Sequence, residues 1–217
     1  MTDNKLQANE KPEQENSSDM IEELSPASPY NIETEGVKEE LSTPEEEEYK
    51  PLSKHEEILY KVYKNENTYQ ILKILSYLCV ALTMYAFVYK IVTVIPVAPM
   101  EALRLAVVCG IPFVAVSIAR AVINAPRPYE IYSFYKEPPK KKKGRGFPSR
   151  HVFSVFVIAS ALAFENILLG AGLAALGLLL AVCRVLLGMH FVRDTVAGAV
   201  IGITSAVIGT YITRFIF

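Results

Sequence analysis

Hydrophobic residues divide the chain into a polar first part and a strongly apolar second part that begins near Tyr69. The second part contains apolar runs approaching the roughly twenty residues that span a bilayer. The five runs cover residues 74–89, 102–119, 151–164, 167–187 and 195–212. Residues 54–66 have an amphipathic pattern typical of a helix that lies at the membrane surface. The pattern predicts an all-α, polytopic transmembrane helix bundle of about five spans.

Turn and small residues predict how these helices connect and pack. Pro126 and Pro128 end the second run, because proline cannot continue a helix hydrogen-bond ladder. Glu165 and Asn166 form a tight turn, so the third and fourth runs make an antiparallel hairpin. Small residues at 170–177 and 197–202 allow neighbouring helices to approach closely.

Charge separates the chain into an acidic first part and a basic second part. Residues 1–50 hold 15 acidic and four basic residues, whereas the rest of the chain holds eight acidic and 18 basic ones. Such an acidic segment with few large apolar residues cannot bury enough surface to fold. We therefore predict a disordered acidic tail at 1–53, an interfacial segment at 54–68 and a transmembrane domain at 69–217. No signal peptide is expected, because the first apolar run begins late.

The number of membrane crossings predicts that polar residues far apart in sequence lie on one face of the membrane. The second run ends in a polar loop, and the third run starts from that loop and crosses the membrane. The fourth run crosses back to the same face, and the fifth run starts there. The helix ends on this face carry Arg120, Arg127, Ser149, Arg150, His151, Arg184, His190, Arg193 and Asp194. The opposite face has little beyond Glu101, Arg104, Glu165 and Arg214.

The clustered residue types favour a phosphate over a metal ion. Arginines repel a cation but donate several charge-assisted, bidentate hydrogen bonds to a phosphate. Ser149 begins the third helix, where free backbone N–H groups and the helix dipole favour an anion. Asp194 can accept one ring N–H of His190, which leaves the other nitrogen nucleophilic. His151 can donate a proton to a leaving alcohol, so the pattern indicates phosphoryl transfer.

Three motifs in this region resemble those of the type-2 phosphatidate phosphatase (lipid phosphate phosphatase) superfamily, K-x6-R-P, P-S-G-H and S-R-x5-H-x3-D. The corresponding segments are residues 120–128, 148–151 and 183–194. Arg120 replaces the lysine, Arg150 the glycine and Cys183 the serine. The resemblance covers roughly residues 69–217 and leaves the acidic tail aside.

The resemblance implies a membrane phosphatase that works without a metal or other cofactor. His190 would attack phosphorus and form a phosphohistidine, Asp194 would orient His190, and His151 would protonate the leaving oxygen. The phosphate would be held by Arg120, Arg127, Arg184, Ser149 and the backbone at Arg150. The expected partners are a lipid phosphate substrate and membrane lipids, with no nucleic acid. Phosphatidate, phosphatidylglycerol phosphate and polyprenyl diphosphate are all candidate substrates.

Other interpretations stay open from the sequence. The chain could be a phosphotransferase that uses another alcohol as acceptor, or a non-catalytic protein that binds or transports a lipid phosphate; Arg150 is the feature that favours the latter. His190 and Asp194 could be a helix-capping pair. The basic run at 138–146 is typical of a lipid-headgroup or topology signal.

Two arguments about orientation conflict. The positive-inside rule places the lysine-rich loops, and with them the phosphate site, in the cytoplasm. The family resemblance implies an outer or lumenal site, as in many relatives. We expect a multi-pass protein of the cell membrane with a cytoplasmic site.

Overall fold

The computed structural model describes residues 49–136 and 143–216. Within these ranges every regular element is an α-helix, and there are seven. They are α1 (Lys54–Lys64), α2 (Glu66–Val94), α3 (Pro99–Ile123), α4 (Pro128–Ile131), α5 (Arg150–Ala163), α6 (Ile167–Leu186) and α7 (Val192–Ile216). The predicted helical membrane bundle is confirmed. Most of the predicted acidic tail and of the basic run lies outside the described residues.

The five predicted apolar runs form four long helical segments and one shorter helix. In the described part of the chain, four helical segments are long and apolar enough to cross a membrane: α2, α3 continued by α4, α6 and α7. The third predicted span, α5, has 14 residues. At 1.5 Å per residue it reaches only about 21 Å, short of a hydrocarbon core of roughly 30 Å.

The short helix α5 lies at the centre of the bundle, in contact with α2, α3, α6 and α7. Nine of its 14 residues are buried, including Val152 and Phe153, which are fully inaccessible. Protein therefore surrounds α5 on most sides. A helix in such a position does not need to match the bilayer thickness, because most of its side chains face protein instead of lipid.

Glycines bring α7 close to α5. A Cβ at Gly198 would lie 2.7 Å from the carbonyl oxygen of Ser149, and one at Gly202 would lie 2.8 Å from that of Phe153. These distances are shorter than real Cβ contacts allow, so only glycine fits without a shift of the helices. The close approach fixes the start of α5 beside the first half of α7.

The amphipathic helix α1 packs against the loop that follows α4. Its buried Leu59 belongs to a cluster with Tyr129, Phe134 and Tyr135. The N-terminus of α1 is capped by Ser53, whose side chain accepts a hydrogen bond from the backbone of Glu56 over 3.2 Å. The aromatic cluster therefore places α1 at the same end of the bundle as the loop between α3 and α5.

Candidate active site

The loop before α5 joins the ends of α3 and α7 through hydrogen bonds over long sequence separations. The backbone N–H of Ser149 donates to the carbonyl of Asp194 over 2.8 Å. The guanidinium of Arg120, near the end of α3, donates to the carbonyls of Arg145 and Pro148. The end of α3, the start of α5 and the start of α7 therefore meet at one end of the bundle.

His190 lies in the turn between α6 and α7 and is only 2% exposed. Its Nδ1 is 2.7 Å from the carbonyl oxygen of Gly146 and 3.7 Å from Oδ2 of Asp194. Because a carbonyl only accepts hydrogen bonds, this contact assigns the ring hydrogen to Nδ1. The lone pair of the neutral ring is then on Nε2. In this geometry Gly146 accepts the hydrogen bond that the sequence analysis expected Asp194 to accept.

The electrostatic environment of His190 favours its neutral form. Burial lowers the pKa of His190 from its ordinary value of 6.5, because the imidazolium loses its hydration. Interaction with Asp194 raises the pKa, whereas the charges of Arg127 and Arg120 lower it further. The net shift is downward, so the ring is held neutral at physiological pH. Both arginines are thus close enough to act on the histidine.

Asp194 is held rigidly by the first turn of α7. Its carboxylate is 1% exposed, and Oδ2 accepts a hydrogen bond from the backbone N–H of Phe191 over 2.9 Å. Asp194 is the third residue of α7, and this contact is the reciprocal half of a capping box. Its Oδ1 lies 3.5 Å from Nε of Arg193. The capping role and a position beside His190 are therefore compatible.

Two further predicted residues are buried with unpaired polar atoms. Ser149 is fully buried, and Arg184 is 3% exposed. Within the described residues, Oγ of Ser149 and Nε of Arg184 have no hydrogen-bond partner. One terminal nitrogen of Arg184 lies 3.8 Å from Sδ of Met189. Nearly all buried polar atoms in native proteins are hydrogen-bonded, so these two atoms are exceptions that a bound water or a polar ligand would satisfy.

The first turn of α5 supplies the other two predicted residues. Ser149 is the N-cap, and Arg150 and His151 follow as the first two helical residues. The side chain of Ser149 does not cap the helix, and His151 is half-buried. The first backbone N–H groups of a helix have no partner inside the helix and favour an anion.

A cationic cleft of about 650 Å³ opens beside these residues. It is lined by Ser117, Arg120, Asn124, Arg127, Lys143, Gly144, Arg145 and Arg150. The side chain of Arg150 is exposed, and its guanidinium lies 5.6 Å from the ring centroid of Phe113. The cleft therefore combines predicted phosphate ligands with other basic side chains.

Several residues of this region were not predicted from the sequence. Lys143 and Arg145 belong to the predicted basic run, but both line the cleft. Gly146 had no predicted role, and its carbonyl is the acceptor for His190. The motifs gave no signal for these residues, because a backbone carbonyl is not recognisable from residue type. The position of Gly146 between the motifs was the only available hint.

A model of the PAP2 superfamily matches residues 101–216, which is more than half of the 217 residues. The chain belongs to the PAP2 superfamily. This confirms the resemblance found in the three motifs. The chain is thus a multi-pass membrane protein of a phosphatase family, and as an enzyme it is a phosphoric ester hydrolase.

Two crystal structures share the fold. LpxE from Aquifex aeolicus is 21% identical, with a TM-score of 0.56, and the match covers 71% of this chain and 93% of LpxE. The other structure is the first transmembrane PAP2-type phosphatidylglycerolphosphate phosphatase from Bacillus subtilis. It is 17% identical, with a TM-score of 0.58, and the match covers 75% of this chain and 86% of that protein. No curated protein sequence is significantly similar to this PAP2 chain.

The described part of this PAP2 chain offers few ligands for a metal. Within residues 49–136 and 143–216, no three His, Cys, Asp or Glu side chains are grouped to hold a metal ion. All three cysteines are buried. The charged side chains around His190 that could hold a ligand are mainly arginines, and arginines bind phosphate oxygens well.

Proposed function

We propose that this PAP2 protein hydrolyses a lipid phosphate or diphosphate through a phosphohistidine. The observation that supports this most directly is the contact between Nδ1 of His190 and the carbonyl of Gly146. This contact leaves Nε2 as the free nucleophilic nitrogen of a buried, neutral ring. The ring lies close to the positive charges of Arg120 and Arg127, which act on its pKa.

The first step forms a bond between Nε2 of His190 and phosphorus, and it breaks the bond from phosphorus to the leaving oxygen. His151 gives its proton to that oxygen. Asp194 stabilises the positive charge that develops on the imidazole ring, which lies 3.7 Å away. In the second step water attacks phosphorus, His151 takes the proton, and the N–P bond breaks to release inorganic phosphate.

The arginine cluster would stabilise the transition state without a metal. The ligands of the reacting phosphate are Arg120, Arg127, Arg184, Ser149 and the backbone N–H of Arg150, of which Ser149 and Arg184 carry unpaired buried polar atoms. Fixed donors aimed at the phosphoryl oxygens require no reorganisation when charge spreads over them. Arg120 and Arg127 each donate two N–H groups to loop carbonyls, which fixes the position of both guanidinium groups.

An apolar groove beside the cleft supports a lipid substrate. The groove, of about 280 Å³, lies between α2, α3 and α5 and is lined by residues that include Met84, Phe113 and Ser154. Phe113 also contacts the guanidinium of Arg150 at the rim of the cleft. A headgroup in the cleft would therefore leave its hydrocarbon chain beside an apolar surface at membrane depth.

The test is phosphate release from defined lipids in detergent containing EDTA. Purified protein should release phosphate and form an acid-labile, base-stable phosphoenzyme, and His190→Ala should lose both. A wild-type protein that binds lipid phosphates but never turns them over would instead be a non-catalytic binding protein. Phosphorylated products in the presence of added alcohols would indicate a phosphotransferase. A metal-dependent phosphatase would lose activity in EDTA.

We also propose that the site faces the cytoplasm of the cell membrane. The basic residues of α1 and the cleft lie at the site end, because α1 packs against the loop after α4. By the positive-inside rule this end is cytoplasmic. In a Lys136→Cys variant, a membrane-impermeant thiol reagent should then fail to label position 136 in intact cells and should label it after lysis. Labelling in intact cells would place the site outside.

A further inference from the structure

The cleft contains more positive charge than one phosphate ester requires. Lys143, Arg145 and Arg150 line it in addition to Arg120 and Arg127. None of the three additional residues forms an ion pair with a described carboxylate. A phosphate monoester carries about two negative charges near neutral pH. The extra cations therefore need an explanation beyond the reacting phosphoryl group.

The backbone of the loop presents one of these cations to the cleft. Gly144 and Arg145 have consecutive positive φ angles of 71° and 56°. The N–H of Gly144 donates to both carboxylate oxygens of Glu130, over 2.8 and 3.0 Å. The carbonyls of Gly144 and Arg145 accept hydrogen bonds from Arg127 over 3.0 and 3.4 Å. These contacts hold Arg145 in a left-handed conformation that is unfavourable for a non-glycine residue, with its side chain exposed.

Arg150 occupies the position between the phosphate ligands and the apolar groove. Its side chain lines the cleft, while its guanidinium lies against Phe113, which also lines the groove. A lipid that enters with its chain in the groove would place the atoms that join chain and reacting phosphate near Arg150. A second phosphoryl group in that linking position would meet Arg150 directly.

We propose that Lys143, Arg145 and Arg150 form a second anion subsite, which binds a non-reacting phosphoryl group of the substrate. The proposal rests on the proposed function and narrows its substrate class to lipids that carry two phosphoryl groups close together. Two lipid chemistries provide this arrangement: a prenyl diphosphate, in which the groups share an oxygen, and a phosphatidylglycerol phosphate, in which glycerol separates them. A lipid with one phosphoryl group, such as phosphatidate, leaves the subsite empty.

The experiment measures kcat/KM for three lipids in the same detergent: phosphatidate, a polyprenyl diphosphate and phosphatidylglycerol phosphate. We expect wild-type protein to prefer at least one lipid with two phosphoryl groups over phosphatidate by roughly 10- to 100-fold, as expected for one or two charge-assisted hydrogen bonds. The preferred lipid identifies the chemistry of the second group. Equal kcat/KM for all three lipids would overturn the subsite.

Variants separate the subsite from the reaction. Lys143→Gln/Arg145→Gln and Arg150→Gln should reduce the preference about tenfold, chiefly through KM, and Arg145→Lys should retain it. The side chains of Lys143 and Arg145 are exposed, so these changes should leave folding intact. Lys64→Gln, on α1, removes an exposed charge outside the cleft and should leave the preference unchanged. If both Gln variants keep the wild-type preference, the subsite is wrong.

The subsite and the proposed function fail in different ways. Loss of preference without loss of phosphohistidine formation would leave the phosphatase mechanism intact. A wild-type protein that forms no phosphohistidine and releases no phosphate from any of the three lipids would overturn the proposed function, and the subsite with it.

Discussion

Both ends of the helix bundle carry arginines and acidic residues, but their environments differ. At the end opposite the site, Lys90 forms an ion pair with Glu165, and the guanidinium of Arg214 lies 5.7 Å from the ring centroid of Phe164. The polar recess there has a volume of about 20 Å³, close to that of one water molecule. At the site end the cleft measures about 650 Å³.

The site end also keeps like charges together and leaves buried polar atoms unpaired. Arg120 and Arg127 both act on His190, and Ser149 and Arg184 have unpaired buried atoms among the described residues. Both arrangements cost free energy in the empty protein. Charged groups at the end opposite the site have partners, whereas the site end has unpaired buried atoms and neighbouring like charges. Departures of this kind from local stability are expected at functional sites. The comparison indicates that clustered like charges and unpaired buried polar atoms together distinguish the site.

The largest difference between the ends should appear when His190 is removed. His190→Ala eliminates the nucleophile, so we expect phosphate release to fall about 10⁴-fold or more. The matched change at the other end, Lys90→Ala, breaks the ion pair with Glu165 and should leave turnover within about twofold, as for other partly exposed pairs. Phosphate release is measured with the preferred lipid. Equal losses in the two variants would contradict the assignment.

Replacing an arginine by lysine should have the next largest effect. Arg184→Lys keeps the positive charge but loses the planar donor fork, so kcat/KM should fall roughly 10²- to 10³-fold. Arg214→Lys, in the last turn of α7, changes a residue that contacts Phe164 and should alter kcat/KM by about twofold at most. The prediction is wrong if Arg184→Lys retains wild-type kinetics.

Helix packing near the site should be less tolerant than packing on the lipid-facing side. Gly198→Ala places a methyl group 2.7 Å from the carbonyl of Ser149, and overpacking of this kind costs about 1–3 kcal/mol. A Cβ at Gly110 would have no atom within 4 Å, so Gly110→Ala should be neutral. Thermal unfolding in detergent measures both variants. An unchanged midpoint for Gly198→Ala would show that α5 and α7 separate easily.

The smallest expected effect is on pH dependence. Because the folded-state pKa of His190 is lowered, the nucleophile stays neutral below the ordinary histidine range, and activity falls only as pH drops through the lowered pKa. The acid limb of kcat/KM should therefore lie below about pH 6.5. Arg127→Gln removes a charge that lowers the pKa, so this limb should move upward. Arg104→Gln, at the other end, should not move it.

The sequence predicted the helices of the bundle well, because long apolar runs bounded by polar turns leave little choice of structure. It placed the turn at Glu165 and Asn166 between α5 and α6, where Asn166 caps α6 by accepting a hydrogen bond from Leu169 over 3.0 Å. It predicted the run that forms α5 but not the central position of this helix, since hydropathy does not distinguish a helix surrounded by protein from one surrounded by lipid. The functional roles of His151, His190 and Asp194 stay predictions until the kinetic tests are made.

The sequence by itself determined the fold class and the family of this protein. The apolar runs predicted a membrane helix bundle, and the spacing of the three motifs indicated the family. The number of membrane crossings predicted that the arginines and histidines lie at one end of the bundle, because each span carries the chain to the opposite face. Only the tertiary structure decided which acceptor holds His190 and which cations share the cleft. The His190 contact joins residues 44 positions apart. Such a contact depends on how closely α5 and α7 pack, and residue type does not specify the carbonyl that a side chain meets.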